Sequence, residues 1–214
     1  MNQAISEIRK NYSRESLTEK DVAANPITQF SHWWQEALRS EIDEVNAMTL
    51  ATASADGVPS ARVVLLKGFS EEGFSFFTNY SSFKGRQLAE NPKACLVFFW
   101  KELERQVRIT GLVSKMEEEL SEAYFLSRPL ESQLGAIASP QSEVIESREW
   151  LDQRYQRLQE QLGSSSISRP SQWGGYLVRP VILEFWQGRP SRLHDRIQYS
   201  LLENGIWKIE RLAP

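Results

Sequence analysis

The chain has 214 residues, a length that suits one domain better than two when a domain typically takes about 150. Its 25 Lys+Arg against 28 Asp+Glu leave a net charge of −3, so no global positive field exists for a nucleic-acid backbone or an anionic membrane. With 41% apolar residues, a chain of this size can bury a real core, which excludes disorder for most of it. One cysteine, Cys95, and two histidines, His32 and His194, exclude an internal disulfide and a zinc site of the His/Cys kind, and no metal is expected.

In chain order, residues 1–24 are polar and charged and read as an arm, with no signal peptide and no stretch anywhere that could cross a bilayer as a helix, so a cytoplasmic location is expected. Asn25-Pro26 is a cap followed by proline at the first helical position, and Ile27, Phe30, Trp34, Leu38 and Ile42 then recur at helical intervals. His32 falls on the other side and reads as a solvated residue. From Ala47 the pattern turns to strands. Residues 48–52 and 62–67 flank Asp56-Gly57, a hairpin turn signal, and 73–78 forms a third strand. Ser81 to Glu90 reads as a short helix, and 94–100 with 106–115 as a second hairpin, in which Cys95 is a small hydrophobe. Glu117 to Leu162 is helical, broken at Pro129 and Pro140, and Gly163-Ser164-Ser165-Ser166 is a connector. Strands return at 176–186, 192–202 and 206–212. Strands, then helices, then strands that rejoin the first set define an α+β domain with an antiparallel, closed or nearly closed barrel over residues 25–214, without internal repeats.

Three groups of residues can carry chemistry. If Arg192-Leu193-His194-Asp195-Arg196 is a strand, its period of two places Arg192, His194 and Arg196 on one face. Such a face either binds an anion or an electron-rich ring, or is the solvated side of an edge strand. A second basic set, Arg62, Lys67, Lys84 and Arg86, surrounds the first strands. In the third, Tyr124, Arg128 and Ser132 share a face if one helix runs through them; alternatively Pro129 starts a new helix whose N-terminus is itself a natural anion site. Neither a G-x-x-x-x-G-K loop nor a G-x-G-x-x-G fingerprint is present.

The segments Arg62 to Lys67, Leu103-Glu104-Arg105-Gln106-Val107, Tyr124 to Pro129 with Ser132-Gln133, Glu184-Phe185-Trp186-Gln187-Gly188 running into Arg192 to Arg196, and the ending Trp207 to Pro214 together resemble the pyridoxamine 5′-phosphate oxidase family. The resemblance spans nearly the whole chain in order. It implies an FMN-binding split β-barrel, antiparallel, with flanking helices, and a homodimer with FMN at the subunit interface. The implied reaction oxidises pyridoxamine or pyridoxine 5′-phosphate to pyridoxal 5′-phosphate with oxygen reduced to hydrogen peroxide, in vitamin B6 salvage and the last step of making that cofactor. The flavin then carries the redox chemistry, which accounts for the missing metal ligands.

Position by position, the resemblance assigns FMN contacts to Arg62, Val63, Val64, Leu65, Leu66, Lys67, Phe77, Thr78, Lys84, Gln106, Gln141, Ser142, Trp186 and Arg196. It assigns the substrate to Lys67, Tyr124, Arg128 and Ser132 around its phosphate, with Arg192, Leu193 and His194 beside the reacting carbon, where Arg192 and His194 are the catalytic pair. Arg9, Lys10, Asn11 and Tyr12 would come from a mobile arm, residues 1–24. One position departs from the pattern: Phe83 stands where the family carries an arginine, and Arg86, three residues on, is expected to supply the missing guanidinium. Rival readings are a split-barrel flavin or deazaflavin reductase, or a non-catalytic FMN- or pyridoxal-phosphate-binding protein. The combination of Tyr124, Arg128, Ser132, Arg192 and His194 favours the oxidase.

Overall fold

A computed structural model of the protein describes residues 12–162 and 167–214. The chain divides into two compact units, one built from residues of Met1–Leu50, Cys95–Gly111 and Pro180–Pro214, the other from Ala51–Ala94 and Leu112–Arg179. Four strands supply residues to both units: β1 (Ala47–Ala53), β5 (Lys93–Trp100), β6 (Arg105–Lys115) and β7 (Trp173–Gln187). With β2 (Pro59–Leu65), β3 (Gly68–Ser70), β4 (Gly73–Asn79), β8 (Asp195–Leu201) and β9 (Trp207–Arg211), they hydrogen-bond in the order β2-β1-β5-β6-β7-β4-β3, with β8 on β7 and β9 on β8.

In the first unit, α1 (Pro26–Arg39) begins where the Asn25-Pro26 signal places it. Asn25 Oδ1 accepts the backbone N–H groups of Ile27 and Thr28 at 2.7 and 3.2 Å, satisfying two donors that the helix cannot. The buried stripe is Ile27, Phe30, Trp33 and Ala37, one position behind the expected Trp34 and Leu38 in its last turns, and Leu38 is 51% exposed. Phe30 packs on Phe98 and Trp100 at 5.3 and 6.0 Å, and Trp33 meets Phe185 edge-on at 5.2 Å. These aromatic pairs add large buried side chains to the unit's core. The hairpin β8–β9 pairs Ile197 with Arg211 and Leu201 with Trp207, turning at Asn204-Gly205, where Gly205 takes a left-handed φ of 78°.

Residues 12–24 carry no helix or strand, yet they are tied down. Leu17 is buried, its N–H donates to Asp195 at 3.1 Å, and Arg211 donates to the Leu17 carbonyl at 3.0 Å and to Glu19 at 2.8 and 2.9 Å. Arg9, Lys10 and Asn11 lie outside the described residues.

In the second unit, β4 pairs antiparallel with β3 and with β7, placing Phe77 opposite Gly175 and Thr78 opposite Gly174. Helix α2 (Phe83–Glu90) starts at Ser82, whose hydroxyl caps the Gly85 N–H at 3.3 Å. A side chain at Gly85 would meet the Tyr80 carbonyl at 2.1 Å, so glycine permits this close approach of helix and turn. The helical stretch resolves into α3 (Glu118–Ser127), α4 (Leu130–Ala138) and α5 (Arg148–Leu162). Arg128 is extended (φ −76°, ψ 152°) and Pro129 caps α4, so the second of the two sequence alternatives holds.

The strand expected across Arg192 to Arg196 starts later. Pro190–Arg192 forms a short 3-10 turn in which Ser191 and Arg192 take φ of 57° and 61°, and β8 begins only at Asp195. Two consecutive left-handed residues break the period of two, so Arg192, His194 and Arg196 do not share a strand face.

Replacing the α1 cap, Asn25→Ala, is expected to lower unfolding free energy by about 1 kcal/mol, read as a lower urea midpoint at unchanged slope.

Candidate active site

A cavity of about 700 Å³ opens in the second unit. β2 contributes Arg62, Val63, Val64 and Leu65, and Lys67 follows it; β4 contributes Phe77, Thr78 and Asn79, and α2 contributes Lys84. Across from them lie Tyr124 of α3, Arg128, Pro129, Ser132 of α4, Gln141 and Trp173. Four of these lining residues are cationic, Arg62, Lys67, Lys84 and Arg128, and among the described residues the lining includes no Asp or Glu. Cations that close together repel unless an anion lies between them.

Neutral groups help to orient two of these cations. Arg62 donates to Thr52 Oγ1 at 2.7 Å and to Ser60 Oγ at 2.6 Å, and both hydroxyls donate onward to Gln87 Oε1 at 2.6 Å. Lys84 Nζ donates to Thr78 Oγ1 at 3.3 Å and to Gln141 Oε1 at 3.4 Å. Burial lowers the pKa of Lys84, and the neighbouring Arg62 charge lowers it further. Burial alone lowers those of Arg62 and Arg128, through desolvation first in each case. Arg128 lies over the Trp173 ring at 4.7 Å, and its buried Nη1 has no hydrogen-bond partner, an orphan donor in an acid-free cavity. The wall beside it is aromatic: Phe77 stacks on Tyr124 at 3.9 Å and on Trp173 at 5.6 Å.

Residues expected from the sequence but absent from this lining fall in several places. Leu66 is 4% exposed and belongs to the core, just past the end of β2. Ser142 is exposed with a left-handed φ of 71°, next to the lining residue Gln141. Arg86, expected to stand in for an arginine at position 83, is not among the described lining residues. It donates to the Ser81 carbonyl and lies 5.9 Å from the half-exposed Phe83 ring, outside the lining, because its place on α2 turns it to solvent.

The other expected residues belong to the first unit. His194 stacks obliquely on Trp186 at 4.7 Å, and Tyr12 meets both rings edge-on at 5.7 and 5.9 Å. His194 Nδ1 accepts the Arg189 backbone N–H at 3.1 Å, so neutral His194 carries its proton on Nε2. Burial, and secondarily the Arg192 charge, lower its pKa below the ordinary histidine value. Arg192 and Leu193 are exposed on the turn before β8. Arg196 donates to Glu184 at 2.8 Å and to the Ala213 carbonyl at 2.8 Å, and the Glu184 contact raises its pKa. Gln106 is half-buried on β6, on the same face as Arg108.

Trp173 escaped the sequence reading, which singled out only Trp186 among the tryptophans as a site residue. Its signal is the run Trp173-Gly174-Gly175 opening β7, where side chains would strike the Tyr80 hydroxyl at 2.2 Å and Met116 at 2.5 Å. Two bare positions beside an aromatic residue let the neighbouring rings close in.

An antiparallel α+β fold that keeps a cluster of desolvated cations without acids defines a protein built to hold anionic ligands. Residues 34–162 match the pyridoxamine 5′-phosphate oxidase family, and residues 173–214 match the pyridoxine 5′-phosphate oxidase C-terminal dimerisation region. Proteins named pyridoxine/pyridoxamine 5′-phosphate oxidase are 56% identical in Trichormus variabilis and 53% identical in Leptospira interrogans, each over 100% of both chains. The chain belongs to this family, and it is an oxidoreductase of the pyridoxine/pyridoxamine 5′-phosphate oxidase kind. Among solved structures it is similar to PhzG from Burkholderia lata 383, with 31% identity, a TM-score of 0.87, and coverage of 94% of this chain and 98% of that one. A pyridoxamine 5′-phosphate oxidase-related, FMN binding protein from Nostoc punctiforme, 17% identical with a TM-score of 0.69 over 90% of this chain and 100% of that one, shares the fold. That fold is the split barrel.

An anion entering the cavity stabilises charged Lys84 and so raises its lowered pKa. Binding should therefore take up protons, and weaken, as pH rises through the free-state value, which lies below an ordinary lysine's. Calorimetry of sulfate binding in two buffers of different ionisation enthalpy is expected to show this uptake, and Lys84→Met to abolish it.

Proposed function

We propose that the protein oxidises pyridoxamine 5′-phosphate and pyridoxine 5′-phosphate to pyridoxal 5′-phosphate, with FMN as cofactor and oxygen reduced to hydrogen peroxide. It does so as a homodimer completed at its FMN sites by the subunit interface, in keeping with the dimerisation region matched at residues 173–214. The observation that carries this reading is the acid-free cavity lined by Arg62, Lys67, Lys84 and Arg128, with the orphaned Nη1 of Arg128 within it.

The residues present fit both phosphates. Arg62, Thr78, Lys84 and Gln141 would hold FMN, since neutral partners pre-orient Arg62 and Lys84 for a phosphate. Bound there, the flavin supplies the hydride acceptor and the route of electrons to oxygen. Arg128, Tyr124, Ser132 and Lys67 take the substrate phosphate, with Arg128 Nη1 gaining the acceptor it lacks. Holding the phosphate fixes the ring's position, which is where most of the rate gain in a hydride transfer arises. Arg192 and His194 are assigned to the substrate's amine or hydroxyl. His194 serves there as an Nε2–H donor, because taking a proton at Nδ1 would break its bond to Arg189.

Purified protein is expected to be yellow and to release peroxide with either phosphorylated vitamer. Flavin without such turnover would favour the reductase or carrier readings instead. Arg128→Ala should raise KM about 10- to 100-fold with flavin content unchanged, as suits a lost charged hydrogen bond of about 1.5–3 kcal/mol. Arg192→Ala should keep FMN and lose most of kcat; full activity in that variant removes its assigned role.

A further inference from the structure

Tyr12 sits in a seat made of residues that the cavity and its chemistry leave unused. Glu104 follows the 3-10 turn Lys101–Leu103 in a left-handed conformation, φ 55°, and is 4% exposed. Its Oε2 accepts the backbone N–H groups of Ser13 at 3.0 Å and Arg14 at 3.2 Å. Its carbonyl accepts the Gly188 N–H at 2.8 Å. A Cβ on Gly188 would lie 2.7 Å from Tyr12 Cγ and 2.9 Å from Tyr12 Cβ, distances that real side chains do not show. Gly188 is not among the residues with positive φ, so its backbone does not demand glycine; the tyrosine above it does.

The consequence is a fixed placement. A buried carboxylate grips the two N–H groups after Tyr12, a bare glycine opens the floor beneath it, and the ring comes to rest against Trp186 and His194. Further along, Asp195 accepts the Leu17 N–H, and Arg211 binds Glu19, Asp195 and the Leu17 carbonyl together. The grip at Glu104 and the clamp at Arg211 therefore bracket the same short segment from two sides.

We propose that Glu104 and Gly188 are positioning residues for the oxidation, seating Tyr12 so that it fixes the His194 imidazole and walls off the substrate. The proposal rests on the function given above, since it takes His194 to stand beside the reacting carbon. A mere tether for the chain terminus would stabilise the fold without acting through the Tyr12 ring. A seat acts only through that ring.

The test is a double-mutant cycle on flavin-loaded enzyme, with steady-state oxidation of pyridoxine 5′-phosphate and the melting temperature of each variant. Tyr12→Ala and Gly188→Ala are each expected to raise KM about 10-fold with kcat within about 2-fold of wild type, and the double variant to be no worse than Tyr12→Ala alone. Tyr12→Phe, which keeps the ring, should lose less than Tyr12→Ala. Glu104→Gln, which keeps a carbonyl acceptor for the Ser13 and Arg14 N–H groups, should lose far less than Glu104→Ala. The seat is overturned if Gly188→Ala worsens Tyr12→Ala by its full single-variant factor, or lowers the melting temperature with KM unchanged. Absent turnover in the wild type overturns the reaction itself, a result separable from additive effects in a working enzyme.

Discussion

The cavity of the second unit is organised by positive charge among described lining residues that include no carboxylate. Arg62, Lys84 and Arg128 are desolvated there, which disfavours their charged forms, and the described lining residues offer no carboxylate to offset this. A buried cation paired with Asp or Glu would cost less in isolation, but it would then have little left for a ligand. The network Thr52–Ser60–Gln87 resolves the conflict. The hydroxyls accept from Arg62 and pass their own protons to Gln87, so these dipoles help to orient the guanidinium. Thr78 and Gln141 do the same for Lys84.

Arginines of the first unit receive the opposite treatment. Arg105 bonds Glu36, Arg108 and Arg196 share the buried Glu184, and Arg211 is forked between Glu19 and Asp195. These carboxylates make the guanidiniums structural, cross-linking strands and the segment before α1. Arg196 shows the difference most directly. The resemblance places it against the cofactor, yet its Nε goes to Glu184 and its Nη1 to the Ala213 carbonyl, so any anion it meets must share a charge already engaged.

Local chemistry was legible in the sequence wherever one or two residues decide the geometry. Asn25-Pro26 starts α1 and Asp56-Gly57 turns the first hairpin, because a cap and a left-handed glycine act within a few residues of themselves. Pro129 marked a break whose side, one helix or two, depended on the backbone of Arg128, and the extended conformation there decided it. The misreading of Arg192 to Arg196 has the same root in reverse. A period of two was assumed across Ser191 and Arg192, whose left-handed backbones are imposed by the surrounding turn and not announced by residue type. Arg86 was placed by helical spacing from Phe83; spacing is right about neighbours but silent about which face meets the cavity. Trp173 is a tertiary fact, an aromatic residue brought to the wall only by the β4–β7 register.

The net charge of −3 describes this molecule poorly because compensation is local. Acids neutralise the arginines that hold the first unit together, whereas four cations gather in the cavity among described residues that include no acid. This partition also argues for a phosphorylated substrate on the proposed reading. A vitamer without its phosphate would bury its ring against Tyr124 and Trp173 while leaving Arg128 Nη1 without an acceptor. An unsatisfied buried donor costs about 1–3 kcal/mol, more when charged, and the ligand would also forgo the attraction of Lys67. Selectivity for the phosphate therefore follows from what the cavity omits, a carboxylate, as much as from the cations it contains.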